Sequence, residues 1–197
     1  MTPAATRSRC SGNFAEMTLP YPSGRGLPAK ASSARPKTLI IGLGNPILGD
    51  DGIGWRVAEQ VQAHLENEAA SLPEFEVDCL SLGGLSLMER LVGYQRAIII
   101  DAIFTRQSPP GTVTSFPLEA LPDRAAGHTT STHDTSLLTA IALGHSMGAP
   151  LPDTITIVAV EAEQVYDFSE ELTPEIAAAI PLAEQMVLDL ILQGGFS

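Results

Sequence analysis

Apolar residues from residue 38 onward follow two alternating patterns. Continuous apolar runs, which are typical of strands buried on both faces of a parallel sheet, occupy residues 38–44, 75–82, 97–103 and 154–160. Segments in which apolar residues recur at three- and four-residue steps, as in amphipathic helices, occupy residues 53–67, 85–93, 134–147 and 173 onward. This alternation predicts a three-layer α/β domain with a mostly parallel sheet.

Two proline-containing segments refine this prediction. Thr173 is a good capping residue and is followed by Pro174, which suits the first position of a helix. Pro181 lies inside the same helical period, so we expect it to kink the last helix or divide it in two. Residues 112–118 follow a Ser-Pro-Pro-Gly turn, which predicts an edge strand or an antiparallel strand.

Residues 1–36 differ in composition from the rest of the chain. They are rich in Pro, Ser, Gly, Ala and Arg and show no apolar period, which predicts a disordered N-terminal extension. The whole chain has 197 residues, of which 44% are hydrophobic and 17% charged. Residues 37–197 are therefore expected to form one domain with a sizeable core.

Charge and cysteine content exclude several classes of protein. The net charge is −12, and residues 1–37 carry six basic side chains against one acidic one, which leaves about −17 for the rest. Because residues 38–197 are so acidic, they should repel phosphate backbones, and nucleic acid is not expected as a partner. Cys10 and Cys79 are too few for a disulfide framework.

With no secretory signal and no long apolar stretch, we expect a cytoplasmic protein without membrane contact.

A glycine-rich loop, GLGNPILGDDGIG at residues 42–54, separates the first strand from the first helix. Its glycines permit positive φ angles, and Asn45 before Pro46 predicts a tight bend that Asn45 itself supports. Asp50 and Asp51 stand at the helix start, where carboxylates cap N–H groups. Capping explains one aspartate, so Asp51 is a candidate ligand and Asp50 a helix cap or a support for that ligand.

Asp101 interrupts the apolar run 97–103. A carboxylate in a core strand is costly unless it is paired or binds a cation. Ligands of parallel sheets bind outside the carboxyl ends of the strands. Asp101 is therefore a second candidate ligand, although hydrogen bonds from loop N–H groups would also explain it.

His133 is the third candidate ligand, close to the start of a predicted helix. The helix dipole there disfavours imidazolium and keeps the ring neutral, as metal binding requires. A capping or surface role would explain the same position. Surface positions are expected for the other histidines, His64, His128 and His145.

Asp51, Asp101 and His133 together would present two carboxylates and one imidazole. This mixed oxygen and nitrogen set would suit Ni²⁺, Zn²⁺, Fe²⁺ or Mn²⁺, and it is not a soft thiolate site. The chain contains neither an HExxH nor a GxSxG motif. Cys79 falls within a predicted strand, which disfavours a cysteine nucleophile.

Three segments resemble, in their order and spacing, the signature segments of hydrogenase maturation proteases. They are GLGNPILGDDGIG, IIIDAI around Asp101 and STHDTSL around His133, and the resemblance covers about residues 38–193. It implies a twisted, mostly parallel sheet of about five strands flanked by helices, as in phosphorylase/hydrolase-like folds. In that family the matching acid, aspartate and histidine bind nickel, which implies this role for Asp51, Asp101 and His133.

The resemblance also implies an endopeptidase that removes the C-terminal extension of the nickel–iron hydrogenase large-subunit precursor after nickel insertion. Nickel would then be carried by the substrate and serve as a recognition signal. Two mechanisms stay open. A bound metal would polarise the scissile carbonyl or activate water, or the three residues would grip the nickel of the substrate and so position the peptide bond.

One loop departs from the family pattern, and other functions fit parts of the sequence. Leu82 stands before Gly83-Gly84, where many family members have an aspartate, although the glycines should still form the turn. A non-catalytic nickel-binding maturation chaperone would use the same three residues without cleavage. A peptidyl-tRNA hydrolase also begins with a strand ending in GLGNP, but its basic surface is missing here. A dinucleotide-binding module is disfavoured because the glycines follow GxGxxxxG with a proline inside.

Overall fold

The computed structural model describes residues 37–68, 74–121, 132–163 and 168–193. Side chains are described for the same ranges except residues 68 and 132–136. The expected N-terminal extension, with Cys10, lies outside the described residues, and so does His128.

Nine strands and helices make up the described part of the domain. The strands are β1 (Thr38–Leu43), β2 (Phe75–Leu80), β3 (Arg96–Ile103), β4 (Val113–Pro117) and β5 (Thr154–Glu161). The helices are α1 (Ile53–Glu68), α2 (Gly84–Leu91), α3 (Thr132–Ser146) and α4 (Pro174–Gln193). Short 3₁₀ helices occur at Gly49–Gly52 and Leu118–Ala120. Within the described ranges, none of the helices is long and apolar enough to cross a membrane.

The five strands form one sheet in the order β2-β1-β3-β5-β4. β1 pairs in parallel with β2 and β3, β3 pairs in parallel with β5, and β4 is antiparallel to β5 at the edge. Both the mostly parallel sheet and the antiparallel edge strand were predicted. From β1 the chain first moves to β2 on one side and then to β3 on the other. The space between β1 and β3 is therefore the topological switch point, where α/β sheets bind ligands.

Alternate residues of each strand face opposite layers of helices. One face, with Ile40, Ile98 and Val158, packs against α1 and α4. The other face, with Leu39 and Ile99, packs against α2 and α3. The structure is therefore the predicted three-layer sandwich.

The last helix is continuous, so of the two outcomes expected for Pro181, a kink or a division of the helix, the structure excludes the division. α4 begins at Pro174 as predicted, and the Thr173 carbonyl accepts a hydrogen bond from the Ala177 N–H at 2.9 Å. Pro181 is exposed, so solvent can replace the helical hydrogen bond that its missing N–H would have made. Burial of Ile176 and Val187 against the sheet holds the helix on both sides of the proline.

Candidate active site at the carboxyl edge of the sheet

The glycine-rich loop is packed directly onto the carboxyl ends of β1 and β3. A Cβ atom added to Gly54, in the first turn of α1, would lie 2.2 Å from the Leu43 carbonyl oxygen and 2.4 Å from that of Ile100. The 3₁₀ helix Gly49–Gly52, which carries Asp51, also contacts β3. Because Asp101 follows Ile100, the fold brings Asp51 and Asp101 to the same end of the sheet, at its switch point.

Asp51 is held in place by the loop that precedes it. Its Oδ2 accepts a hydrogen bond from the Asn45 N–H at 2.7 Å, and the Asn45 Oδ1 accepts one from the Ile47 N–H at 3.2 Å. Gly44 has a φ of 128°, and a Cβ there would lie 1.9 Å from the Asp51 carbonyl oxygen. The predicted need for glycine and the predicted support from Asn45 are both confirmed.

Asp50 has a different role from its neighbour. Its side chain is fully buried, at 0% exposure. Its Oδ1 accepts the Thr173 N–H at 2.7 Å and its Oδ2 accepts the Thr173 hydroxyl at 3.1 Å. Asp50 therefore caps α4, the last helix of the domain, and ties the glycine-rich loop to it.

Asp101 lies near the end of β3 and is 6% exposed. It pairs in register with Ala159 of β5. Ala97 and Ile99, which share its face of the strand, belong to the core beneath α2 and α3. The Asp101 side chain therefore points to the layer that contains α3.

The helix that carries His133 begins toward the same edge. After Ser146 the chain reaches the start of β5, and the Pro150 carbonyl accepts a hydrogen bond from the Gly93 N–H, near the start of β3, at 2.8 Å. The end of α3 is therefore at the amino edge of the sheet. Its 15 residues span about 22 Å, so its first turn lies toward the carboxyl edge, on the face to which Asp101 points. The His133 side chain is outside the described residues, and its role stays a prediction.

The described side chains include only part of the predicted metal site. Among them, no three His, Cys, Asp or Glu groups are placed so that they could hold a metal ion. The predicted set contains only two such groups, Asp51 and Asp101, in the described part. Its third member is the imidazole of His133.

A buried glutamate at this edge was missed by sequence reasoning. Glu161, the last residue of β5, is 3% exposed. Its carboxylate accepts hydrogen bonds from the Thr105 N–H at 2.5 Å, the Thr105 hydroxyl at 2.5 Å and the Arg106 N–H at 2.7 Å. The signal was available, because an acid directly after a buried apolar run is the same pattern that identified Asp101.

The loop after β2 also borders the candidate site. The Ser81 hydroxyl donates to the Gly44 carbonyl at 2.6 Å, so this loop contacts the glycine-rich loop. Gly84 has a φ of 55°, which confirms that the loop turns through a glycine despite its departure from the family pattern. Leu82, at the position of the missing aspartate, is 37% exposed.

The remaining candidate groups lie away from this edge or inside the core. His64 and His145 are exposed, as predicted, and His64 Nδ1 lies 3.2 Å from Glu184. Cys79 is a buried thiol whose Sγ lies 4.0 Å from the Trp55 carbonyl oxygen. None of these residues is needed to explain the site.

Comparisons with known proteins identify the family to which the chain belongs. The family model described as hydrogenase maturation protease matches residues 55–190, a range that includes Asp101 and His133. The hydrogenase expression/formation protein HupD of Thiocapsa roseopersicina is 27% identical over 162 residues, covering 81% of this chain and 70% of HupD. The hydrogenase 2 maturation protease of Escherichia coli K12 is 28% identical over 161 residues, covering 81% of this chain and 93% of that protein.

A solved structure supports the same relationship. The hydrogenase maturating endopeptidase HybD from E. coli superimposes with a TM-score of 0.65 at 27% identity, covering 81% of this chain and 94% of HybD. Fold and comparisons thus define a hydrolase, and within that class an endopeptidase. The chain belongs to the hydrogenase maturation protease family.

Proposed function

We propose that the protein removes the C-terminal extension of a nickel–iron hydrogenase large-subunit precursor after nickel has been inserted. The names of the E. coli relatives support hydrogenase maturation as the process. The observation that carries the proposal is the placement of Asp51 and Asp101 together at the switch point of the sheet, on the edge where α3 begins.

In this proposal Asp51, Asp101 and His133 grip the nickel ion that the substrate carries. Two carboxylates and one neutral imidazole are suitable donors for nickel. The hydrogen bond from the Asn45 N–H fixes the orientation of the Asp51 carboxylate, as an outer partner of a metal-binding group does. The low exposure of Asp101 strengthens its attraction for a cation, because water screens the charge less there.

Gripping the nickel would position the scissile bond. A peptide bond near a fixed ion has few orientations, and correct orientation alone lowers a reaction barrier substantially. A precursor without nickel would lack this anchor. The site would therefore distinguish filled from empty precursor before cleavage.

The test is incubation of the purified protein with its large-subunit precursor, once nickel-loaded and once nickel-free, followed by intact-mass spectrometry. We expect loss of the C-terminal extension from the nickel-loaded form only. Equal cleavage of both forms would contradict nickel sensing. Cleavage of neither form would contradict the proposed substrate.

A further inference from the structure

Arg106 has an unusual backbone conformation in the loop that follows Asp101. Its φ is 57°. Within the described ranges, every other residue with a positive φ is a glycine. Residues with side chains rarely adopt this conformation, and it persists where surrounding contacts enforce it. Such strained positions cluster at functional sites.

Glu161 enforces this conformation. Its buried carboxylate accepts the Arg106 N–H at 2.7 Å and both the N–H and the hydroxyl of Thr105. The backbone of Glu161 also binds the next turn, since its carbonyl accepts the Gly111 N–H at 2.8 Å. A buried acid at the end of β5 thus fixes the loop that leaves β3.

The Arg106 guanidinium is exposed and stacks on an aromatic ring. Its Cζ lies 4.7 Å from the centre of the Phe104 ring. Within the described part of the chain, no carboxylate forms a salt bridge with it. Arg56, another cation near this edge, differs because it contacts Glu59 at 3.5 Å and the Glu170 carbonyl at 3.3 Å.

We propose that Arg106 binds a carboxylate in the C-terminal segment of the substrate, with Glu161 as the residue that positions it. A planar guanidinium stacked on a ring is oriented for paired hydrogen bonds to a carboxylate. Arg106 follows Asp101 by five residues, so this contact would hold the substrate segment beside the scissile bond. The inference rests on the proposed function, because it assigns the substrate of the same site.

The decisive variant is Arg106→Gly, because glycine adopts a positive φ without strain. The melting temperature of this variant should stay the same or rise. Its affinity is measured for nickel-free precursor, because the proposed function leaves that form uncut. This affinity should fall about tenfold, which is the size of one charge-assisted contact. Arg106→Gln should weaken binding similarly, and Arg106→Lys should restore part of the affinity. An equal dissociation constant for Arg106→Gly and wild type would overturn the proposal.

Arg96→Gln is the matched control. Arg96 begins β3 at the opposite edge of the sheet and donates to the Leu190 carbonyl at 3.0 Å. Its substitution removes the same charge but should leave the precursor affinity unchanged. An equal loss of affinity in both variants would show a general charge effect and would also overturn the proposal.

The source of the carboxylate is tested on the substrate. Acidic residues of the precursor extension are replaced singly by their amides, and one precursor carries an amidated C-terminus. One of these changes should weaken binding to wild type about tenfold and have no further effect on Arg106→Gly. If no change couples to Arg106, the assignment is wrong. Failure of the proposed function would be seen in a different experiment. In that case the wild-type protein would leave the nickel-loaded precursor uncut.

Discussion

Two groups of acidic residues, one beneath α2 and one at the carboxyl edge of the sheet, accept hydrogen bonds from different kinds of donor. Beneath α2, Arg90 donates to Asp78 at 2.6 Å, to Glu76 at 2.5 Å and to the Tyr94 hydroxyl at 2.7 Å, and Tyr94 donates to Glu76 at 2.7 Å. Lys37 lies 3.5 Å from Glu76. In this network, cations neutralise the acids and join α2 to the edge strand β2.

At the carboxyl edge, buried acids are held by neutral donors. Asp50 accepts the N–H and hydroxyl of Thr173, and Glu161 accepts the N–H and hydroxyl of Thr105. These contacts fix two loops around the candidate site. The comparison indicates that the β2–α2 network joins a helix to an edge strand, whereas the contacts at the carboxyl edge hold the loops that surround the candidate site.

Gly54→Ala should have the largest effect on stability. The added methyl group would meet two backbone carbonyl oxygens, on β1 and β3, that cannot move independently of the sheet. We expect a loss of about 3 kcal/mol in the free energy of unfolding, measured by urea denaturation with Trp55 fluorescence. Gly93→Ala is the control, since a Cβ there has nothing within 4 Å and only its φ of 89° opposes the change. An equal loss in both variants would mean that the close packing at the switch point is unimportant.

Arg90→Met should come next, with a loss of about 2 to 3 kcal/mol. Asp78 would keep its buried charge without its cation, although the partial exposure of Glu76 and Arg90 moderates the cost. Precursor cleavage well below the melting temperature should be unchanged. A variant that is stable but inactive would break the distinction between the two regions.

Asp50→Asn and Asp51→Asn compare neighbouring residues with different roles. Asp50→Asn should lower the free energy of unfolding by about 1 to 2 kcal/mol, because it replaces one of the two oxygens that accept from Thr173 with an NH₂ group, which is a donor. Asp51→Asn should change stability less and abolish cleavage of nickel-loaded precursor. If Asp50→Asn abolished cleavage and Asp51→Asn lowered the stability instead, the assignment of Asp51 to the candidate site would be wrong.

The smallest effect concerns the pH dependence of the ion-pair network. Burial alone would raise the pKa of Glu76, but the hydrogen bond from Tyr94 and the charge of Arg90 outweigh it, so this pKa lies below its ordinary value of 4.5. A lowered pKa stabilises the fold above pH 4.5, and this contribution is lost as the pH falls from 4.5 through the lower folded value. Glu76→Gln should therefore flatten the acid limb of the stability curve. An unchanged slope below pH 4.5 would contradict this contribution.

The same network should also weaken at high pH. Burial raises the pKa of Tyr94 above 10, and the hydrogen bond to Glu76 acts in the same direction. The unfolded chain then loses the Tyr94 proton first, so stability falls as the pH rises above 10. Tyr94→Phe should remove this alkaline loss.

Local sequence patterns predicted the elements and the two candidate residues, Asp51 and Asp101, that the fold brings to one edge. Apolar runs identified the strands, and the interruption of one run identified Asp101. The contact between Asp50 and Thr173 joins residues 123 apart, which no periodicity reveals. The start of α3 at Thr132 differs by two residues from the predicted start, because either Ser131 or Thr132 could cap the helix and the sequence does not decide between them.

The most direct test compares cleavage of nickel-loaded precursor by Asp101→Asn and Asp78→Asn. Both aspartates are 6% exposed, so the two changes remove similarly buried charges from neighbouring parts of the sheet. We predict that Asp101→Asn slows cleavage at least about a hundredfold at an almost unchanged melting temperature, while Asp78→Asn loses stability and retains cleavage. Normal cleavage by Asp101→Asn would contradict the assignment of the active site to the carboxyl edge of the sheet.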